Sequence, residues 1–386
     1  MMALQSKNWN PYMKSVSAKL KRNWKGFEDM TNERIKNPGT LKPGTTGYDI
    51  LYILKQYGNY PEEKIKELIP DKKPDTIRKS IRKLEDCNYL LRRRGIGGEY
   101  ILSLTRFSKE MLMVQNYNLS TSPKKLTRAA NLAVVSMMFH KSVLPYDTNA
   151  AEFYESKEDI LKKYPESEKV LIVSRMAGIY HHYDEIIPVF FLGSSMYWVD
   201  NSERTVKEYI ENRLYHKPIN TCFFFIENYE KEAMRLVNEP DGGRNYGVAL
   251  RESLELSSCY QKAFLFSTDR PGINQLKLFR SFSNIEELYL DAVFERNERE
   301  LSADSVIDGR IDETDCIVLF SGDIIRIKRI YRLLDARMLD RINIICFDFQ
   351  EYFLRAAFSR WSNQVIINSY STHDLMEVFN IGGVEY

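Results

Sequence analysis

The sequence predicts an α/β protein that begins with a separate helical unit ending in a hairpin. Three observations carry that expectation. Residues 45–105 hold three short helical patterns, then two strand-like runs around a glycine-rich turn. From about residue 146, apolar strand-like runs alternate with helical patterns, as α/β folds require. Finally, 44% of the 386 residues are hydrophobic and 28% charged. These values sit near the roughly 45–50% and 25% of globular proteins and exclude a largely disordered chain. The length suggests two or three domains at about 100–200 residues each.

In the first unit, Thr45 or Thr46 caps a helix whose apolar residues are Ile50, Leu51, Ile53, Leu54 and Tyr57, and Gly58-Asn59 ends it. Pro61 is placed to open a second helix with Glu62 and Glu63 in its first turn, stopped by Pro70. Pro74 opens a third, with Ile77, Ile81 and Leu84 on one face. Tyr89-Leu90-Leu91, Arg92-Arg93-Arg94, the turn Gly95-Ile96-Gly97-Gly98 and Tyr100–Leu104 then read as a β-hairpin. Three helices followed by a hairpin define the winged form of the helix-turn-helix. A fourth helix spans Pro123–Lys141, its stripe of Leu126, Ala130, Ala133 and Met137 expected to pack within the monomer.

The remainder reads as helix 152–164, strands 170–180, 186–192 and 196–199, helix 202–215 and strand 221–226. This αβββαβ order is that of restriction-endonuclease-like folds. Helices at 230–237 and 250–257 and a strand at 263–267 follow. The tail alternates strand 316–320, helix 323–338, strand 342–347, helix 352–358, strand 364–368 and helix 372–379. The expected organisation is a basic arm and linker (1–44), a winged-helix domain (45–106) and a helical connector (107–145). An endonuclease-like α/β domain (146–270) and a C-terminal α/β extension (271–386) complete it.

Charge separates these parts. Residues 1–145 hold 27 Lys+Arg against 13 Asp+Glu, and the rest 28 against 40. A basic first part followed by an acidic one points to a nucleic-acid-facing N-terminal region. Between residues 72 and 94 there are nine basic residues and three acidic ones, Asp75, Glu85 and Asp86. Opposite the apolar face of the third helix lie Arg78, Lys79, Arg82 and Lys83, two rows at i,i+4 spacing. Lys72 and Lys73 stand at its N-terminus, where the helix dipole disfavours cations and a bound phosphate relieves them. A helix fits the major groove, about 12 Å wide. Lys72, Lys73, Arg78, Lys79, Arg82, Lys83, Arg92, Arg93 and Arg94 are therefore the expected contacts to double-stranded DNA. The competing reading is a solvated face on a protein-binding winged helix.

A metal nuclease of the αβββαβ type needs a carboxylate on one central strand and Asp/Glu-x-Lys on the next. Asp184, Glu185, Asp200 and Glu203 are the nearby acids, Lys207 the nearest lysine, and no Glu-x-Lys stands on a strand. The α/β region is expected to be degenerate and non-catalytic, with no metal or other cofactor. His181-His182 is read as exposed loop rather than chelate, since adjacent strand residues point to opposite faces. Ser321-Gly322-Asp323 reads as a helix cap. Five cysteines without a CxxC pair, and no apolar run near the ~20 residues of a membrane span, fit a cytoplasmic protein with reduced thiols.

Four stretches resemble the replication-relaxation family of plasmids and integrative conjugative elements of Gram-positive bacteria. They are Glu99-Tyr100-Ile101-Leu102-Ser103-Leu104-Thr105, residues 128–138 (RAANLAVVSMM), residues 153–159 (FYESKED), and Ser174-Arg175-Met176-Ala177-Gly178-Ile179 leading to Tyr197-Trp198 and Glu203. Arg106 stands where the family carries a glycine after Leu-Thr. The resemblance implies DNA binding in maintenance or transfer of a mobile element, beside an endonuclease-like C-terminal part. The first expected function is accordingly DNA binding in replication, relaxosome assembly or transfer and copy control, with replication or transfer proteins, or a second copy of the chain, as partners. A metal-dependent nuclease or relaxase is the second reading. A ligand-sensing transcriptional regulator is the third.

Overall fold

Thr45 sets where the first element starts. Its hydroxyl accepts the Tyr48 N–H at 3.4 Å and opens α1 (Thr46–Tyr57), which buries Ile50, Leu51, Ile53 and Leu54. The helix ends at Gly58, whose φ of 79° suits glycine. The computed structural model describes residues 41–114, 122–143, 153–172, 174–193, 200–227, 229, 259–295, 298–299 and 305–381. The expected strand at 196–199, the helices at 230–237 and 250–257 and the arm up to residue 40 lie outside them.

β1 (Tyr60–Pro61) leads into α2 (Glu62–Leu68). Pro61 pairs with Ile101 in a sheet, so it precedes the helix instead of opening it. α3 (Pro74–Asp86) buries Ile77, Ile81 and Leu84. β2 (Leu90–Arg94) and β3 (Tyr100–Leu104) form the expected antiparallel hairpin, with Arg94 opposite Tyr100. The sheet order is β1-β3-β2. A short helix unread in the sequence, α4 (Arg106–Met111), follows, capped by the Thr105 hydroxyl on the Ser108 N–H at 3.1 Å.

α5 (Pro123–Lys141) has the expected bounds, and Leu126, Ala130, Ala133 and Met137 are all buried within the monomer. Val134, Val135, Met138 and Phe139 are buried too, so the helix is central rather than one-sided. It packs against α1 and β1 on one side and the α/β region on the other.

A five-stranded mixed sheet comes next: β4 (Tyr154–Ser156), β5 (Met176–His182), β6 (Glu185–Leu192), β7 (Thr221–Ile226) and β8 (Lys262–Ser267), in that spatial order. β4, β5 and β6 run antiparallel, and β6, β7 and β8 parallel. β7 is apolar from Cys222 onward because both its faces are covered. Phe223 and Phe225 enter one core, Cys222 and Phe224 the other.

Two sequence expectations change here. Residues 152–164 are not one helix: β4 pairs with β5, and only then does the Ser156 hydroxyl accept the Asp159 N–H at 3.2 Å and cap α6 (Lys157–Lys163). Val170 belongs to α7 (Glu168–Leu171), and the strand expected from 170 begins at Met176. α8 (Asp200–Tyr209) continues in π-helical geometry to Tyr215.

After α9 (Arg270–Ser281) and α10 (Ile285–Val293) comes a four-stranded sheet of β9 (Gly309–Ile311), β10 (Thr314–Val318), β11 (Ile342–Phe347) and β12 (Val365–Tyr370). Its order is β12-β11-β10-β9, with β10, β11 and β12 parallel through α11 (Ile324–Asp335) and α12 (Asp348–Ala357); α13 (Thr372–Val378) follows. Gln275 of α9 joins this sheet to the rest by donating to the Phe320 carbonyl at 3.0 Å, and Gln350 of α12 donates to the same carbonyl from within the sheet's own layer at 3.2 Å. One apolar core runs from Ile50 through Phe139 and Phe223 to Met376. The chain is thus an α/β protein whose N-terminal helices share a core with its sheets. Among the described residues no helix is long and apolar enough to cross a membrane. All five cysteines are free thiols, four of them buried.

Candidate nucleic-acid interface

α3 presents two faces because its apolar residues recur at three- and four-residue spacing. Ile77, Ile81 and Leu84 turn inward, while Arg78, Lys79, Arg82 and Lys83 are exposed on the opposite side. Lys73 is exposed at the helix start, and Lys72, half-buried, pairs with Asp71 at 2.6 Å. Arg78 pairs with Asp75 at 3.1 Å, both exposed. Among the described residues Lys73, Lys79, Arg82 and Lys83 have no ion-pair partner.

The three hairpin arginines behave differently from one another. Arg92 is committed to the fold: its guanidinium holds both Glu62 carboxylate oxygens, at 2.5 and 3.2 Å, and lies 3.5 Å from the Tyr100 ring centroid. Arg93 points to the other side of the strand, half-buried, and donates to the Ser103 hydroxyl at 3.1 Å; burial lowers its pKa. Arg94 is exposed, its guanidinium 3.2 Å from the Tyr100 hydroxyl. That hydrogen bond, with the Arg94 charge behind it, holds the hydroxyl below its ordinary pKa. Of the nine sequence-predicted residues, the structure gathers Arg78, Lys79, Arg82 and Lys83 on one open face. It sets Lys73 and Arg94 at the edges of the unit and turns Arg92 and Arg93 to internal work. A cleft of about 310 Å³ separates α2, α3 and the hairpin, with Glu62 and Glu63 on one wall and Arg78 on another.

Among the described residues, the acids considered for metal chemistry, Asp184, Glu185 and Glu203, stand in three separate settings. Asp184 is fully exposed at a turn, 3.9 Å from Lys217, and Glu185 is exposed at the start of β6. The Asp200 side chain lies outside the described residues. Glu203 is buried, accepting the Ser174 hydroxyl at 2.6 Å and the Arg175 N–H at 2.5 Å. Burial raises its pKa against those hydrogen bonds and the nearby Lys157. Lys207 pairs with Glu211 at 2.8 Å. No group of three His, Cys, Asp or Glu among the described residues is placed to hold a metal ion.

His181 and His182 correct the loop reading. Both lie in β5, on opposite faces as the strand dictates. His181 meets Glu155 at 3.1 Å, while buried His182 hydrogen-bonds the Phe279 and Phe282 carbonyls at 3.0 and 2.9 Å. Asp323 does cap its helix: its carboxylate accepts the Ile325 N–H at 3.0 Å and also the Ala263 N–H at 3.0 Å.

One polar group escaped the sequence reading. Arg128, Lys157, Ser174, Arg175 and Glu203 meet where α5, α6, the start of β5 and α8 come together. Arg128 and Lys157 both donate to the Ser174 carbonyl, each at 3.0 Å. The chain matches no protein-family model, no curated protein and no solved structure.

Proposed function

We propose that this chain is a DNA-binding protein in which residues 45–106 form a winged helix that lays α3 in the major groove. The observation that carries the reading is the open face of Arg78, Lys79, Arg82 and Lys83 on a helix anchored by Ile77, Ile81 and Leu84. A helix of ~10–12 Å diameter fits that groove, and arginine is the side chain best shaped to read guanine there. Arg94 at the hairpin reaches backbone phosphate, while Arg92 and Arg93 keep the hairpin in shape. The placement on a plasmid or conjugative element, in replication, relaxosome assembly or transfer control, rests on the family resemblance. The α/β region serves as a non-catalytic partner domain in this reading, and the dispersal of Asp184, Glu185 and Glu203 supports that role.

The test is selection of a bound site from randomised duplex DNA, followed by anisotropy titration of Arg78→Ala and Arg82→Ala on it. Loss of a guanine contact costs about 1–3 kcal/mol and relaxes the preference at one base pair. Wild-type affinity and specificity in both variants would remove α3 from the interface.

A further inference from the structure

Arg94 ends β2 on an exposed stretch of the hairpin, yet its side chain is held. Nη2 donates to the Tyr100 hydroxyl at 3.2 Å, and Nε lies 3.4 Å from the same oxygen. The two residues are direct partners across β2 and β3, so their side chains leave the same face of the hairpin. Arg92, two residues earlier, shares that face. Its guanidinium carbon lies 3.5 Å from the Tyr100 ring centroid, and its fork grips the Glu62 carboxylate at the start of α2. A chain of contacts therefore runs from α2 through Glu62, Arg92 and Tyr100 to Arg94.

The last link contributes little to the fold, because it is solvent-exposed and water can serve both groups. What it sets is direction. An arginine on an open strand end samples many rotamers, and a ligand that fixes it must offset that entropy. The guanidinium carries five N–H groups in one plane. With Nε and one edge of Nη2 turned to the hydroxyl, the outer fork of Nη1 and Nη2 is left for a second acceptor. A phosphate takes such a fork through two parallel hydrogen bonds. The hydroxyl is a neutral acceptor, so it orients Arg94 without matching its charge, whereas Glu62 matches the charge of Arg92. The backbone beyond Arg94 is held as well: the Ile96 N–H donates to the Thr127 hydroxyl at 3.0 Å, and that hydroxyl donates to Glu99 at 2.9 Å.

We propose that Tyr100 is a positioning residue for DNA binding: clamped under Arg92, it holds Arg94 with the outer fork presented to one backbone phosphodiester of the duplex, beside the groove that α3 enters. The inference rests on the DNA-binding reading above. A backbone contact adds affinity for duplex of any sequence and leaves the base preference to α3. Tyr100 itself touches no DNA in this arrangement, and its effect passes entirely through Arg94.

The experiment measures affinity of the full chain for a selected duplex and for an unrelated one as a function of KCl. It compares wild type with Tyr100→Phe, Arg94→Gln and the two combined. Tyr100→Phe keeps the ring under Arg92 and removes only the oxygen. It should weaken binding about 2- to 12-fold, the worth of pre-ordering one long side chain, equally on both duplexes and with the wild-type salt slope. Arg94→Gln should lower the log–log slope by about 0.9. In the Arg94→Gln background Tyr100→Phe should cost nothing further, which a merely structural tyrosine would not show. Arg94→Lys keeps the charge without the planar fork and should weaken binding at unchanged slope, with Tyr100 left in place. Wild-type affinity in Tyr100→Phe, or an equal loss with and without Arg94, overturns the positioning role; if binding still falls in Arg82→Ala, the α3 interface stands. A loss confined to the selected duplex overturns the phosphate assignment. A wild-type chain that binds no duplex overturns both readings.

Discussion

Lys79 and Lys83 offer the cleanest separation of function from folding in this molecule. They lie one turn apart on α3, both exposed, and neither has an ion-pair partner among the described residues. Replacing both with Ala removes two charges while leaving Ile77, Ile81 and Leu84 untouched, so stability should change by no more than about 0.5 kcal/mol. If each lysine neutralises one phosphate, the log–log salt slope falls by about 1.8. Between 50 and 200 mM salt, a fourfold rise, wild type then loses about 12-fold more affinity than the variant. Arg92→Ala is the contrasting perturbation. It breaks the Glu62 pair and the stack on Tyr100, and should cost about 1–2 kcal/mol of stability with a smaller change in slope. Anisotropy titrations at four salt concentrations, paired with urea denaturation, give both quantities. An unchanged slope in the lysine variant, or a larger slope change in Arg92→Ala, would show that the hairpin rather than α3 carries the phosphate contacts.

Burial raises the Asp323 pKa to about 7, so the native state holds its proton more tightly than the unfolded chain. Stability contributed through this group is lost as pH rises from about 4 toward 7. The melting temperature of Asp323→Asn relative to wild type should therefore climb across that window, and a pH-independent difference would refute the assignment. Phe139→Ala should destabilise by about 3–5 kcal/mol in urea, because the ring stacks on Tyr154 at 4.2 Å and meets Tyr180 and Phe225 in the shared core. Supercoiled plasmid incubated with the protein and Mg²⁺ or Mn²⁺ should stay supercoiled. Nicking that Glu203→Ala abolishes would establish a metal site that the sequence motif does not describe.

What the sequence disclosed depended on how local each cause is. β7 was legible because a strand covered on both faces runs apolar from Cys222 to Ile226, and α3 because its two faces repeat at helical spacing. The division of 152–164 into β4 and α6 was not, since Tyr154 is drawn into strand geometry by β5, more than twenty residues away. α9 was missed despite a readable start: Asp269 caps it by accepting the Gly272 N–H at 3.4 Å, and Pro271 stands in its first turn. In the candidate interface, an unbroken run of three arginines looked equivalent in the sequence. Strand alternation turns Arg93 away from Arg92 and Arg94, and Arg92 finds its acid thirty residues earlier at Glu62. Arg128, Lys157 and Arg175 come together only through the packing of α5 on the sheet, which no spacing along the chain encodes.

The same packing bears on how α3, the proposed DNA-reading helix, is set against the rest of the molecule. Lys64 of α2 is buried and donates to both the carbonyl and the hydroxyl of Thr268, at 2.7 and 3.1 Å, just past β8. Arg280 of α9, also buried, donates to the Phe139 carbonyl and the Ser142 hydroxyl at the end of α5, both at 3.2 Å. A buried ammonium or guanidinium stripped of such partners is costly, so neither contact can open by small steps. The hairpin tip adds a third tie through Thr127. Three separated contacts tie the N-terminal helices, directly or through α5, to the α/β region. α3 therefore keeps one orientation relative to the five-stranded sheet. In the proposed complex a duplex seated on α3 would therefore meet the α/β region at one fixed angle, so a footprint that lengthened in discrete steps with salt or with duplex length would contradict this arrangement.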